Sequence, residues 1–136
     1  MVPDIYIGEN WYSLEEVFKS FSDKECGALD IFLGIPRSAP EDGNVKQLEY
    51  EAYVSMAEKV IKEIIEEAKE KFKIKHAIVH HRTGTVPVGV PSFLVAVWAG
   101  HRQEAFIACR YIVDEVKARA PIWKKEVFLS GGEKWK

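Results

Sequence analysis

The stretch Ser92-Phe-Leu-Val-Ala-Val-Trp-Ala-Gly100-His-Arg-Gln-Glu-Ala-Phe-Ile-Ala-Cys-Arg110-Tyr-Ile-Val-Asp-Glu-Val-Lys-Ala118 decides the fold. Ser92 to Ala99 is nearly all apolar and reads as a strand. Gly100 breaks that pattern. From about Arg102 to Ala118 the apolar side chains Ala105, Phe106, Cys109, Ile112, Val113 and Val116 recur at helical steps, which predicts an amphipathic helix with these residues facing inward. Pro121 stops the helix, since it cannot donate a backbone hydrogen bond and clashes with the preceding turn. Trp123 to Leu129 reads as the next strand, followed by Gly131-Gly132 and a charged tail.

The same alternation extends upstream. His76 to His81 reads as a strand, joined to Ser92 by the turn-rich segment Gly84 to Pro91. Before it, Tyr53, Val54, Ala57, Val60, Ile61, Ile64, Ile65, Ala68 and Phe72 form one apolar stripe of a long helix. Its other face carries Glu58/Lys62 and Glu67/Lys71 at i,i+4 spacing, read as solvated pairs. Gly27 to Leu33 and Val45 to Tyr50 are extended, and Ile35 to Gly43, with two prolines, is a loop. Ile5 to Ile7 is a short strand. Ser13-Leu-Glu-Glu16 has the form of a capping box that starts a short helix ending near Ser20. Strands alternating with helices, several of them adjacent, argue an α+β fold: two main helices on mixed sheet. No repeat or low-complexity linker divides residues 1–136, so the chain reads as one domain.

Composition narrows the function. Nineteen basic against twenty-one acidic residues leave a net charge of −2, unlike a general nucleic-acid or membrane-surface binder. Aromatics and lysines near the end form no single-strand RNA-binding pattern. No apolar run approaches a membrane span and no signal peptide is visible. Cys26 and Cys109 lie far apart and form no disulfide framework, which favours a reducing, cytoplasmic setting. The charge is uneven. Residues 1–100 hold eleven basic and sixteen acidic side chains, whereas residues 101–136 hold eight and five. An anion site is therefore expected in the last quarter.

Four histidines raise the question of a metal, but no HExxH motif or zinc-spaced cysteine pair is present, and no metal or cofactor site is expected. His80 and His81 are strand neighbours and so point to opposite faces, which allows one to be internal and hydrogen-bonded while the other is exposed. No glycine-rich segment fits a phosphate-binding loop or dinucleotide fingerprint. Lys117 closes the helix and Lys124 opens the following strand, and across the Pro121 turn the two can converge on one pocket. A lysine held beside another cation has a depressed pKa and can act as nucleophile or proton shuttle. His101-Arg102 starts the helix, where free N–H groups and cations suit an anion. Arg37, in the proline-rich loop, is a third basic candidate.

Together these segments resemble the large, catalytic subunits of molybdopterin synthase, from about Gly27 to Trp135. The matching stretches are Phe32-x-Gly34-x-x-Arg37, Leu48-Glu-Tyr-Glu-Ala-Tyr53 with Met56-Ala57, His81-Arg-x-Gly84 with Val88-Gly89, His101-Arg-x-x-Ala105-Phe106, Asp114-Glu-x-Lys117, and Ala120-Pro-Ile-Trp-Lys-Lys-Glu126. The resemblance implies an α/β hammerhead fold with added strands. It implies a homodimer at the core of a heterotetramer, with a small ubiquitin-like subunit at each outer end. That carrier would insert its C-terminal Gly-Gly thiocarboxylate and transfer two sulfurs to cyclic pyranopterin monophosphate. Lys117 and Lys124 match the family's catalytic lysines. Arg37, His101 and Arg102 match its substrate pocket, with His101 and Arg102 serving the neighbouring subunit's site. The alternative is a non-catalytic module of the same fold that docks the sulfur carrier. Asp30, Pro36 and Pro91 depart from the family's pattern, and some relatives continue beyond the position of Lys136 with a further basic residue.

Overall fold

A computed structural model describes all residues, Met1–Lys136. At its centre lies β6 (Phe93–Ala99), every residue of which is buried. It pairs antiparallel with β4 (Ile74–Arg82) on one side and β2 (Ala28–Gly34) on the other. The short β1 (Ile5–Gly8) adds parallel to β4, giving the order β1-β4-β6-β2. Two long helices, α2 (Val54–Lys71) and α3 (Arg102–Arg119), cover one face. Val95 and Val97 of β6 join Ile61, Ile64 and Ile112 of the helices in the main core. Leu94, Ala96 and Trp98 point the other way, toward Val17 of the short helix α1 (Leu14–Lys19). A strand covered on both faces has no use for polar alternation, which is why its sequence is continuously apolar. The capping box is formed: the Glu16 amide donates to the Ser13 hydroxyl at 3.1 Å, and the Ser13 amide to the Glu16 carboxylate at 3.0 Å.

A second sheet is wholly antiparallel, in the order β5 (Gly84–Pro87), β3 (Val45–Ala52), β7 (Ile122–Phe128), β8 (Glu133–Trp135). Val45, Leu48, Tyr50 and Val86 form its own small core. The α+β class and the two main helices match the sequence reading, but the strands divide into one mixed and one antiparallel sheet.

Several local expectations are corrected. Gly84 to Pro91 is not all turn: Gly84–Pro87 pairs with β3, and only the remaining residues turn, closed by the Val90 amide on the Pro87 carbonyl at 3.2 Å. The charged tail contains β8, whose pairing with β7 depends on a remote strand and leaves no local signature. The loop from Ile35 to Gly43 contains a 3-10 turn at Pro40–Asp42. Phe106 is 57% exposed rather than inward, and Tyr53 and Val54 are exposed at the end of the α2 stripe. His81 is buried like His80, because its side of β4 faces the second sheet rather than solvent. Glu67 does not stay in a solvated pair with Lys71: it receives hydrogen bonds from Arg119 at 2.7 and 2.9 Å and from Tyr111 at 2.8 Å. That cluster ties α2 to the last turn of α3. No helix is long and apolar enough to cross a membrane.

Candidate active site

The helix end, the proline turn and the strand after it bring the two lysines together. α3 ends with the Ala120 amide bonded to the Val116 carbonyl, and the Pro121 carbonyl accepts from the Tyr53 amide at 3.1 Å. This fastens the turn to the start of α2. β7 then begins at once, with Lys124 directly across from Tyr50 of β3. Lys117, Lys124 and Arg37 all line one cavity of about 450 Å³, which lies between the two sheets. Ordinary small-molecule sites have about this volume.

Tyr50, Ser92 and His81 line the same cavity, and they are hydrogen-bonded or packed into place. The Gly34 carbonyl accepts from the Ser92 hydroxyl at 3.4 Å, so Ser92 in turn accepts from the Tyr50 hydroxyl at 3.0 Å. Burial pushes the Tyr50 pKa up, against a smaller lowering effect of that bond. His81 Nδ1 lies 2.8 Å from the Arg82 carbonyl, which can only accept; the neutral ring therefore carries its proton on Nδ1 and a lone pair on Nε2. Burial first, with Lys117 and Lys124 as lesser causes, lowers the His81 pKa to about 4. None of these three was a site candidate from the sequence, although Tyr50 and His81 lie in stretches quoted there. The signal was the position of His81 within a strand that ends at the second sheet, and that geometry appears only in three dimensions.

The charges are unevenly matched. Asp42 lies 3.2 Å from Arg37 Nε, and Glu126, itself buried, lies 3.3 Å from Lys136 Nζ. Lys117 and Lys124 have no carboxylate within ion-pair distance. Lys117 instead lies 5.9 Å from the centre of the Phe32 ring, within reach of a cation–π attraction. Lys124 is half-buried, and its pKa is lowered by burial and then by the positive charges of Lys117 and Lys136. A lowered pKa makes Lys124 a better proton donor and a readier base near neutral pH.

His101 and Arg102 are exposed at the other end of α3. His101 occupies the N-cap position, but its side chain makes no capping bond. Fifteen residues of helix separate Arg102 from Lys117, about 22 Å at 1.5 Å per residue. The chain thus gathers three of the five basic candidates, and leaves two far from its own cavity. Pro36, a departure from the family's pattern, is buried and its carbonyl accepts from the Gly89 amide at 2.9 Å, which anchors the base of the Arg37 loop. No group of three or more His, Cys, Asp or Glu side chains is arranged to hold a metal.

The profile of the MoaE protein family matches residues 7–119. The chain belongs to the MoaE protein family. It is 40% identical over 124 residues to the molybdopterin synthase catalytic subunit of Bos taurus, covering 91% of this chain and 66% of that protein. The corresponding protein of Pyrococcus abyssi is 44% identical over 124 residues, covering 91% and 83%. The crystal structure of molybdopterin synthase from Staphylococcus aureus superposes with a TM-score of 0.92 at 31% identity, over 100% of this chain and 98% of that one. This MoaE-family chain spans just under two thirds of the length of its mammalian relatives. Lys124 and Lys136 lie beyond the residues matched by the family profile, yet they complete the cavity whose other cations lie on or beside matched elements.

Proposed function

We propose that this protein is the catalytic subunit of a molybdopterin synthase, transferring sulfur from a small ubiquitin-like subunit to cyclic pyranopterin monophosphate. The names of its relatives support the activity. The convergence of Lys117, Lys124 and Arg37 on one cavity is the observation that carries it. In each transfer the thiocarboxylate sulfur bonds to a substrate carbon while a C–O bond of that carbon breaks, the oxygen leaving as water or as the phosphate oxygen, and the acyl C–S bond of the carrier is then hydrolysed. Water supplies the oxygen that leaves the carrier as a carboxylate. Opening of the cyclic phosphate places negative charge on oxygen, which fixed cations stabilise. Lys124, with its lowered pKa, is suited to move the proton, and Lys117 to hold the developing anion. Arg37 offers a forked donor to the phosphate.

His101 and Arg102 act in the site of a second copy of the chain. Their distance from the cavity of their own chain, and their exposure, support this reading. A homodimer would then form the core of a heterotetramer with two small subunits. Two free cysteines, one of them buried, suit a reducing compartment such as the cytoplasm.

Reconstitution tests the proposal. The chain is mixed with a thiocarboxylated small subunit and cyclic pyranopterin monophosphate, and molybdopterin is measured as its oxidised fluorescent derivative. Product formation that disappears in Lys117→Ala is the expected result. A stable complex without product would replace the enzyme with a binding module.

A further inference from the structure

Sequence spacing does not single out Lys136, yet its side chain lines the cavity that holds Arg37, Lys117 and Lys124. Gly131, at φ +97°, allows the chain to reverse after β7. β8 then runs back beside β7, with Trp135 opposite Lys125 and Lys134 opposite Glu126. The Lys136 amide donates to the Lys124 carbonyl at 3.0 Å, which sets Lys136, just after β8, beside Lys124 of β7. Glu126 has one cationic partner, and that partner is the Lys136 ammonium at 3.3 Å. The Glu126 side chain is only 8% exposed, whereas that of Lys136 is 45% exposed. A buried carboxylate therefore holds a cation that still has donors free to face the cavity.

We propose that Lys136 is a further ligand-binding cation of this site: held by Glu126, it receives an anionic oxygen of the phosphate-bearing substrate beside Lys124. The inference rests on the sulfur-insertion reading and deepens it, because it gives the phosphate a contact from the same chain. The side chains of Arg37, Lys117, Lys124 and Lys136 share the cavity lining with two carboxylate side chains, Asp42 and Glu126, so side-chain positive charge remains for an anion to neutralise. The groups around Lys124 are Tyr50 from β3, His81 from β4, Lys117 from α3, Glu126 from its own strand and Lys136 after β8. Among these Lys136 adds to the positive field that lowers the Lys124 pKa.

Steady-state kinetics of the full chain with its thiocarboxylated partner test this with Lys136→Gln and Lys136→Arg. In Lys136→Gln, KM for the pterin substrate rises about tenfold, the worth of one charge-assisted hydrogen bond, while kcat stays within about twofold. Its rate rises at higher pH than in the parent, because Lys124 loses a neighbouring positive charge. Lys136→Arg restores KM. If the parent turns over and Lys136→Gln keeps the same KM and pH profile, the inference fails while the sulfur-insertion reading stands. If the parent makes no product, that reading fails instead, and titration with inorganic pyrophosphate decides the role of Lys136. Weaker binding by Lys136→Gln supports it, and equal binding overturns it.

Discussion

The two ends of α3 carry similar side chains and meet opposite fates. At the C-terminal end, Lys117 lines a cavity closed by two sheets and shares it with Lys124 and Arg37. At the N-terminal end, His101 and Arg102 are exposed and lie about 22 Å away along the helix axis. The difference lies in the segments that adjoin each end. After Lys117 the chain meets Pro121 and turns straight into β7, so the next lysine returns to the same place. Before His101 the chain leaves β6 through Gly100, which is tied to Gly27 by the Gly27 amide on the Gly100 carbonyl at 3.1 Å. No second sheet crosses that end. One end lines a cavity built within the chain, and the other presents its cations to solvent.

The strongest test of this contrast is Lys117→Ala. It is expected to lower turnover by about 10²–10⁴, the usual worth of a positioned acid, base or charge stabiliser. Arg102→Ala is expected to be comparably inactive if its end of the helix completes a partner's cavity. Mixing the Lys117→Ala and Arg102→Ala chains then restores about a quarter of the parent activity, since half the dimers are hybrid and each hybrid has one intact site. Additive inactivity on mixing would place Arg102 outside the partner's site.

A smaller effect separates the ends by titration. The Lys124 pKa is depressed partly by Lys117. In Lys117→Ala the Lys124 pKa should therefore rise toward the ordinary lysine value, followed by NMR of isotope-labelled lysine side chains. Arg102→Ala should leave it unmoved. An equal shift in both variants would break the contrast.

Stability offers a further check on the enclosed end. The His81 pKa is about 4 in the folded chain, against an ordinary histidine value of 6.5. The unfolded chain therefore binds a proton first as pH falls. The stability contribution is full above about pH 6.5 and is lost as pH drops toward 4, amounting to about 3 kcal/mol at most. His81→Phe should flatten this part of the curve in urea unfolding. The smallest effect expected is that of Arg110→Ala, whose exposed i,i+4 pair with Asp114 at 3.6 Å is worth about 0.3–0.5 kcal/mol.

Much of the first sheet was legible in the sequence. The 3.6-residue stripe of α2, the apolar run of β6 and the capping box of α1 are local patterns, and each appears where periodicity places it. Phe106 is the instructive failure. It shares the helical step of buried Ala105 and Cys109, but the covered stripe of α3 is narrower than the apolar pattern, so its ring remains exposed. The second sheet was less legible. β5 is four residues long and β8 three, too short to carry a periodicity of their own.

Local sequence was enough to specify the α+β class, the two long helices, and the return of Lys124 toward Lys117 across Pro121. These arise from backbone sterics and from hydrophobic spacing, which act over a few residues. The assembled fold was needed to bring Tyr50, His81, Ser92 and Lys136 to those lysines, and to hold His101 and Arg102 away from them. A cavity is made by elements distant in the chain, and its electrostatics depend on burial and on charges set side by side by strand pairing. Neither quantity exists until the two sheets have met.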